Sequence, residues 1–350
     1  MVDLFLKSIK VRVLNKKVKV LVSGAGGDVG QGVIKALNKS DLDVEIYTIC
    51  VFEDSSFLHI DEKSFIAPYS SSQEYIGYLI QLMNKFEIDI FFPTVDSEIL
   101  KIAQNKSELE SKTGAIIFVD SVQKVEICDD KLLTYNFLSK HGFDTPKTTI
   151  PKTKEDIEAF VKDAGIPFIV KKRWDNGAKH LHIFNSVDES LKFLGNEDFI
   201  FQQYLDADDE EYTAGIYIGE DKEVKGVVLF NRELKCGSTY KARRILNDKM
   251  EADLAKVAKV LDMKYLNIQA RLVDGKLYIF EFNGRLSGST AIVSQVLNGP
   301  EMAVRELVLK QSVEKINDRR EFVAMRYYEE IYADVSQIDI LNRRSEELRK

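Results

Sequence analysis

The chain has 350 residues, 45% of them hydrophobic and 30% charged, which is ordinary for a globular protein of two or three domains. Its 49 Lys and Arg against 56 Asp and Glu give a formal charge of 49 − 56 = −7, which excludes an overall electrostatic attraction for nucleic acid or an anionic membrane. The three cysteines, Cys50, Cys128 and Cys236, form no CxxC pair and indicate a reducing compartment. Since the sequence has neither a signal-peptide core nor an apolar run of the roughly 18 residues that span a membrane, we expect a cytoplasmic protein.

The first third of the chain alternates strand-like and helix-like segments. The strand VKVLVSG ends at Gly24, and apolar residues then recur at helical spacing from Asp28 to Leu37. Three further strands, VEIYTICV, IDIFFPT and GAIIFVD, are separated by helix-length segments. Such units form right-handed crossovers between parallel strands. We therefore predict an open α/β domain with a parallel sheet and assign residues 1–120 to it.

The pattern changes after Ser121. One or two helices come first, and strand candidates then follow in pairs: PFIVKKR with LHIFNS, DFIFQQYL with EYTAGIYIG, and EVKGVVLFNR with GKLYIFEFNG. Pairs with short connections favour antiparallel sheets and an α+β fold. A helix is predicted from Asp248 to Leu261, and REFVAMRYYEEIYA predicts a terminal strand.

The glycine-rich turn SGAGGDVGQG follows the first strand. In the dinucleotide-binding fingerprint GxGxxG, counted from Gly24, the third glycine position is occupied by Val29. The acidic pair that starts at Glu53 comes late for a ribose contact. We interpret the turn as structural or substrate-facing, and NAD(P) binding stays as the alternative.

A row of polar residues follows the apolar stretch LYIF. The segments YLNIQARLVDGK and KLYIFEFNGR form a predicted hairpin, and strand alternation places Glu281, Asn283 and Arg285 on one face. Gln269 on the partner strand could join them. A carboxylate and amide oxygens beside an Arg suit Mg²⁺ and the phosphate oxygens that it bridges. The alternative is a polar hairpin with a surface ion pair.

The segment IFEFNGRLSGST resembles the metal-binding strand of the ATP-grasp ligases, E-x-N-x-R followed by a glycine–serine turn. That superfamily places an open α/β domain before its ATP domain, so the resemblance covers nearly the whole chain. The chain is most similar to the branch of the carbamoyl phosphate synthetase large chain and biotin carboxylase, in particular to stand-alone members that join a carboxylate to an amine. The resemblance implies a two-subdomain ATP-grasp fold over residues 121–350, with a small lid subdomain at about 145–205 and a C-terminal catalytic subdomain.

The resemblance also implies a set of site residues. Two phosphate lysines, an adenine hinge and a ribose carboxylate would bind ATP: Lys131, Lys171, Gln202, Gln203, Tyr204, Leu205 and Glu211. Lys172 is the neighbouring alternative to Lys171. Mg²⁺, for which Mn²⁺ could substitute, would be bound by Gln269, Glu281 and Asn283, and Arg285 and Arg232 are the implied catalytic residues. Asp96 and Glu98 are candidate substrate contacts in the first domain.

Two departures from the family pattern stand out. The segment RWDNGAKHLHIF has one glycine, Gly177, where the family has a glycine-rich lid, with Lys179 and His180 nearby. Gln269 replaces the usual Glu or Asp, which weakens charge compensation at the metal but keeps an oxygen ligand.

The implied activity is an ATP-dependent carboxylate–amine ligation through an acyl phosphate, with release of ADP and phosphate. Its partners would be small-molecule carboxylates and amines, and the resemblance allows a homodimer. One alternative is phosphorylation of bicarbonate or carbamate, against which the sequence shows no second synthetase half and no biotin carrier. Others are a nucleotide-binding regulator without turnover and an NAD(P) oxidoreductase.

Overall fold

The computed structural model describes residues 17–174, 180–206 and 211–349. The first part of the chain forms a parallel sheet with helices on its faces, as the sequence predicts. Its elements are β1 (Val18–Val22), α1 (Asp28–Lys39), β2 (Val44–Cys50), β3 (Ser64–Ile66), α2 (Tyr75–Phe86), β4 (Ile90–Phe92), α3 (Asp96–Gln104), α4 (Lys106–Thr113) and β5 (Ile116–Ile117). The strand order is β3-β2-β1-β4-β5. The central strand β1 buries Val20, Leu21 and Val22 completely, because helices cover both faces of the sheet.

The glycine-rich turn has a steric role. Gly24 has a φ of +58°, which favours glycine. A Cβ atom added at Gly30 would lie 2.4 Å from the carbonyl oxygen of Gly24, so the first turn of α1 packs directly on the turn backbone. Gly32, one helical turn into α1, would bring a Cβ to 3.2 Å from the Cβ of Thr290 in the second half of the chain. These contacts explain the glycine spacing without a nucleotide.

Two helices, α5 (Val122–Asp129) and α6 (Lys131–Lys140), lead into two antiparallel sheets. The smaller sheet has the order β6-β9-β7-β8 and the larger the order β14-β13-β10-β11-β12-β15. Their elements are β6 (Thr148–Thr149), α7 (Lys154–Ala164), β7 (Phe168–Lys172), β8 (Leu181–Phe184), α8 (Val187–Ser190), β9 (Phe199–Gln203), β10 (Glu211–Ile218), β11 (Val224–Lys235), β12 (Ser238–Ile245), α9 (Asp248–Leu261), β13 (Tyr265–Val273), β14 (Lys276–Asn283), α10 (Thr290–Val293), α11 (Gly299–Ala303) and β15 (Val323–Met325). A turn of π-helix at Val304–Val308 continues α11.

Two of the three predicted strand pairs are wrong. β7 does pair with β8, but β9 pairs with β6 and β7 instead of β10. β11 pairs with β10 and β12, whereas β14 pairs with β13. The second of these errors has a physical origin in β12, whose charged sequence STYKARRI conceals the strand that lies next to β11. Its Arg244 is buried because it is paired with Asp318, at 3.0 Å.

The predicted terminal strand is also too long. Only Val323–Met325 pair with β12, and the chain then ends in helix α12 (Val335–Arg349). This helix packs on β3 of the first sheet, where the Ile66 amide donates a hydrogen bond to Ser345 Oγ at 2.8 Å and Leu348 is fully buried. Among the helices of the described ranges, none has both the length and the apolar character needed to cross a bilayer.

Candidate active site

A cavity of about 510 Å³ lies between the two antiparallel sheets. Its walls come from β7, β8 and β9 on one side and from β10, β11, β13 and β14 on the other. All seven implied ATP ligands line it: Lys131, Lys171, Gln202, Gln203, Tyr204, Leu205 and Glu211. Arg232, Gln269 and Glu281 line it as well. The volume is typical of small-molecule sites.

Lys131 is the first residue of α6, and the start of this helix is fixed in three ways. Asp130 caps the helix by accepting a hydrogen bond from the Leu132 amide at 2.9 Å. The Asp130 carboxylate is paired with Arg173, the residue that follows β7. Lys131 Nζ donates to the Arg173 carbonyl at 3.3 Å, and the lysine is buried. The helix start and β7 therefore hold the Lys131 ammonium at the cavity wall.

Lys171 approaches the cavity from β7 through strand alternation. Phe168 and Val170 point into the core of the small sheet, whereas Ile169 and Lys171 face the cavity. The Lys171 ammonium lies 5.5 Å from the centre of the Phe280 ring. Burial, followed by the charge of Lys131, lowers the pKa of Lys171 to about 7. Lys172 also touches the cavity wall, at the end of the strand.

The segment from Gln202 to Leu205 forms an apolar and backbone-lined wall. The buried Gln202 side chain donates to Thr148 Oγ1 at 2.9 Å, and the Gln203 side-chain oxygen accepts from the Lys147 amide at 3.3 Å. Since these side-chain groups have protein partners, the wall offers backbone groups and the apolar surface of Leu205 to a planar base.

Glu211 lies between two arginines. Its Oε1 accepts a hydrogen bond from Arg232 Nη2 at 2.8 Å, and its Oε2 accepts one from Arg271 Nη2 at 3.1 Å. Arg232 Nη2 also donates to Gln269 Oε1 at 2.7 Å, so it connects Glu211 on β10 with Gln269 on the neighbouring strand β13. Sequence reasoning missed Arg271, although it lies two residues after Gln269 and therefore on the same strand face.

The predicted metal ligands meet where β13 pairs with β14. Gln269 lies directly opposite Glu281, and Asn267 lies opposite Asn283. Glu281 Oε1 accepts hydrogen bonds from the side-chain amides of Gln269, at 3.2 Å, and Asn283, at 3.3 Å. Within the described parts of the chain there is no group of three or more His, Cys, Asp or Glu residues arranged to hold a metal. One carboxylate with neighbouring side-chain amides fits Mg²⁺, because phosphates and water supply most of its ligands. Gln269 Oε1 accepts a hydrogen bond from Arg232 in this structure, so it would have to exchange that partner for the metal.

Arg285 extends the polar row away from the large cavity. Its guanidinium pairs with Asp96 at the start of α3 and donates to the Leu286 carbonyl at 2.7 Å. A second, small cavity contains Arg285 and Asn283, and its walls share Lys131 and Glu281 with the large one. Glu281, Asn283 and Arg285 thus lead from the large cavity towards the first sheet.

The carboxyl groups of Asp129 and Glu98 have different environments. Asp129 lines the small cavity, and burial, followed by the charge of Asp96, raises its pKa. Glu98, proposed above as a substrate contact, is instead buried and accepts hydrogen bonds from Ser23, Tyr75 and the Thr94 amide. It therefore holds α3 against β1 and β4.

The lid is described only in part. Gly177 and Lys179, on which the prediction of a glycine-poor lid rests, lie outside the described residues. His180 lies within them and lines the large cavity beside Leu181 and Ile183 of β8.

A family profile described as the ATP-grasp domain matches residues 128–289. Curated relatives include the carbamoyl phosphate synthase large chains of Campylobacter jejuni, 25% identical over 219 residues (57% of this chain and 20% of the relative), and Helicobacter pylori, 23% identical over 246 residues (64% and 22%). The chain therefore spans about a fifth of the length of these relatives.

Solved structures share the fold at low identity. The N5-carboxyaminoimidazole synthetase of Staphylococcus aureus, complexed with ADP, has a TM-score of 0.70 and 17% identity, with 89% of this chain and 82% of the other covered. The biotin carboxylase domain dimer of Hydrogenobacter thermophilus 2-oxoglutarate carboxylase, in complex with MgADP, ADP and bicarbonate, has a TM-score of 0.66 and 15% identity, with 88% and 74% covered. Residues 128–289 therefore match the ATP-grasp domain, and the chain shares its fold with these solved structures.

Proposed function

We propose that this protein is an ATP-dependent ligase that joins a carboxylate to an amine through an acyl phosphate. The observation that carries the proposal is the composition of the large cavity. Two lysines, an apolar hinge, the carboxylate of Glu211 and the Gln269–Glu281 pair all face one space of about 510 Å³. Such a space accommodates a nucleotide with its metal at one end.

Each wall would then contact a different part of the nucleotide. Lys131 and Lys171 would bind phosphate oxygens as point charges, and the wall from Gln202 to Leu205 would bind the base. Glu211 would accept hydrogen bonds from the ribose hydroxyls. Because Arg232 and Arg271 each bind one oxygen of this carboxylate, its orientation is set before a ligand arrives.

Catalysis of this reaction depends more on positioning the substrates than on covalent catalysis by the protein. The γ-phosphoryl group passes to a carboxylate oxygen and leaves ADP, and the amine nitrogen then attacks the carbonyl carbon, expels phosphate and loses a proton. Glu281, Asn283 and Gln269 would hold Mg²⁺, which supplies positive charge to the β- and γ-phosphate oxygens. Arg285 would contact the carboxylate or the transferred group from the small cavity. We also propose that the protein, which would act on these small molecules, is cytoplasmic.

Phosphorylation of bicarbonate is the second candidate. The names of the curated relatives favour it, as does the solved biotin carboxylase domain with bound bicarbonate. Bicarbonate would be the carboxylate in the first step, and carboxyphosphate would be the acyl phosphate. ADP release that depends on bicarbonate alone would favour this candidate, whereas dependence on an organic acid would favour the first.

Titration calorimetry with Mg-ATP tests the nucleotide site. We expect wild-type protein to bind Mg-ATP and not NADH. Lys171→Ala should weaken binding by about 1.5–3 kcal/mol, the range for a hydrogen bond to a charged group. Lys172→Ala is the matched control, and its effect should be small because alternation points Lys171 into the cavity. Binding of NADH without Mg-ATP would refute the proposal, and damage confined to Lys172→Ala would make Lys172 the phosphate ligand.

A screen for ADP release tests the reaction. Amino acids and sugar acids are offered with and without amines, and bicarbonate is tested separately. A ligase should release ADP only when its carboxylate is present, and it should form an amide when the amine is added. Tight Mg-ATP binding without ADP release for any acid would favour a nucleotide-binding regulator.

A further inference from the structure

Two aromatic side chains are exposed where strands of the first sheet end. Phe52 follows β2 and is 56% exposed, and Tyr69 follows β3 and is 59% exposed. The Ala67 amide donates to the Cys50 carbonyl at 2.8 Å, so the two chain segments leave the sheet side by side. The ring centroids are 6.2 Å apart and the rings are inclined by 85°, an edge-to-face arrangement that leaves part of both rings accessible. We call Phe52 and Tyr69 the aromatic pair.

The glycine-rich turn after β1 lies between the loop of the aromatic pair and the residues that follow β4. A Cβ atom added at Gly26 would lie 2.8 Å from Ser55 Oγ, in the loop after β2. One added at Gly24 would lie 2.5 Å from Val95 Cγ2, just after β4. In the strand order β3-β2-β1-β4-β5, the chain moves outward from β1 to β2 and β3, and then to β4 and β5 on the other side. Open parallel sheets bind ligands beyond the carboxyl ends of their strands at such a reversal.

This end of the first sheet is continuous with the candidate active site. Asp96, the first residue of α3, pairs with Arg285 at the small cavity. The Oγ atoms of Ser70 and Ser97 are 3.0 Å apart, within hydrogen-bond distance, so the residue next to Tyr69 contacts the residue next to Asp96. We call the exposed side chains along this path the acceptor surface; its members are Phe52, Tyr69, Val95 and Asp96.

The charges beside the acceptor surface favour a cation over an anion. Asp54 is exposed two residues after Phe52. Because Arg285 offsets the charge of Asp96, the carboxylate of Asp54 leaves an excess of negative charge at this end of the sheet. The faces of aromatic rings also attract cations. An ammonium compound is therefore complementary to this surface, whereas a carboxylate would meet like charge.

We propose that the acceptor surface binds the amine substrate, and that this amine carries an aromatic ring that packs against Phe52 and Tyr69. The inference rests on the proposed function, because it assigns the second substrate of that reaction. The amine nitrogen would point towards Asp96 and Arg285, where the acyl phosphate would form. The aromatic pair would thus determine the specificity for the amine without contact to the nucleotide, since neither ring lines the large cavity.

Ligand-observed NMR with the full chain and 2-phenylethylamine as the probe tests binding without a reaction. Ethylamine lacks the ring, and 3-phenylpropionate carries a ring with the opposite charge. We expect the wild type to bind 2-phenylethylamine about tenfold more tightly than either, and Phe52→Ala or Tyr69→Ala to remove most of this preference. Tyr69→Phe should keep it, because the ring remains. Equal binding of the three probes by the wild type, or a preference unchanged in both alanine variants, overturns the inference.

Turnover with the acid found in the screen separates this inference from the proposed function. Hydroxylamine has no ring and converts an acyl phosphate to a hydroxamate. Phe52→Ala and Tyr69→Ala should form hydroxamate at the wild-type rate and bind Mg-ATP normally, while the KM for 2-phenylethylamine rises about tenfold. Val260→Ala, at an exposed apolar residue of α9, is the matched control and should change none of these.

The two possible failures give different results. If no acid yields a hydroxamate in the wild type, the acyl phosphate reaction is refuted, and the NMR experiment still decides whether the acceptor surface binds an aromatic amine. If hydroxamate forms but ethylamine and 2-phenylethylamine are used equally well, or the KM for 2-phenylethylamine is unchanged in both alanine variants, the reaction stands and this inference is overturned.

Discussion

At the scale of single residues, we predict that Lys171 couples the proposed nucleotide binding to pH. Its pKa of about 7 means that the free protein loses this proton above pH 7. Polyphosphate next to the amine stabilises the protonated form, so the pKa rises on binding and a proton is taken up. We predict proton uptake at pH 8–9 and an affinity for Mg-ATP that falls as the pH rises above 7. Calorimetry in buffers of different ionisation enthalpy measures the uptake.

The control for this prediction is Lys171→Met, which keeps the length of the side chain but cannot titrate. It should bind Mg-ATP more weakly and lose the proton uptake of the wild type. Equal uptake in both proteins would assign the titration to another group.

Glu281 lies where metal and phosphates would meet, and its charge can be removed with little change of shape. In Glu281→Gln we expect turnover to fall by more than tenfold, on the order of 2 kcal/mol in the barrier, because charge on the phosphates redistributes during transfer. The fold should survive, since Glu281 is only partly buried at the cavity wall. ADP release with the substrate found in the screen measures the effect, alongside circular dichroism.

The exposed Glu314 provides the matched control for this substitution. Glu314→Gln should keep full activity. Full activity in Glu281→Gln would instead show that the polar residues at the end of β14 form only a structural polar hairpin.

At the scale of elements, we expect the glycine-rich turn before α1 to contribute to folding and not to nucleotide binding. Gly30→Ala would place its Cβ against backbone atoms of Ser23 and Gly24, at 2.4–2.8 Å, and we predict a loss of about 1–3 kcal/mol in the free energy of unfolding. The affinity of the folded protein for Mg-ATP should not change, because the turn does not line the large cavity. Denaturant unfolding and calorimetry measure the two quantities.

Gly77 in α2 is the control for this element. A Cβ added there meets no atom within 4 Å, so Gly77→Ala should be neutral or stabilising by up to about 1 kcal/mol. If Gly30→Ala weakened nucleotide binding in folded protein, the turn would belong to the site.

The elements also show what the sequence could predict. Strands with marked apolar runs, such as β1 and β14, were predicted correctly. β3 has three residues, Ser64–Ile66, and lacks the apolar run that revealed β4 and β5, which are equally short or shorter. β12 was not predicted, because its charged residues conceal alternation. Pairing between strands distant in sequence depends on contacts that no local pattern contains.

The residues of the site can likewise be divided into those that the sequence predicted and those that it could not predict. The two lysines, the hinge and Glu211 line one cavity, as their order along the chain implied through the resemblance. The partner of Arg285 could not be predicted, because Asp96 lies 189 residues away at the start of helix α3. Arg271 could have been found from its alternation with Gln269.

At the scale of the whole molecule, α12 connects the end of the chain to the first sheet. Leu348 is fully buried among residues of that domain, and we predict that Leu348→Ala lowers the free energy of unfolding by about 2–5 kcal/mol. Hydrogen exchange at Ser64–Ile66 should also become faster, since Ser345 on the same helix binds the Ile66 amide. Denaturant unfolding and exchange measured by mass spectrometry test both effects.

Ile340, on the exposed side of α12, is the control. Ile340→Ala should leave both measurements almost unchanged. If Leu348→Ala had no larger effect than this control, the contact of α12 with the first sheet would add little to stability.

The ion pair between Arg285 and Asp96 has a consequence for cutting the chain into parts. The Arg285 side chain is 10% exposed and its acidic partner comes from helix α3, so a fragment that begins near residue 121 would lose both the Asp96 carboxylate and part of the cover over this cation. An isolated catalytic half would then present its row from Glu281 to Arg285 with a different charge than the intact protein. Transplanting the half onto another first domain would require a carboxylate at the position of Asp96, so the choice of first domain would affect the charge around Arg285.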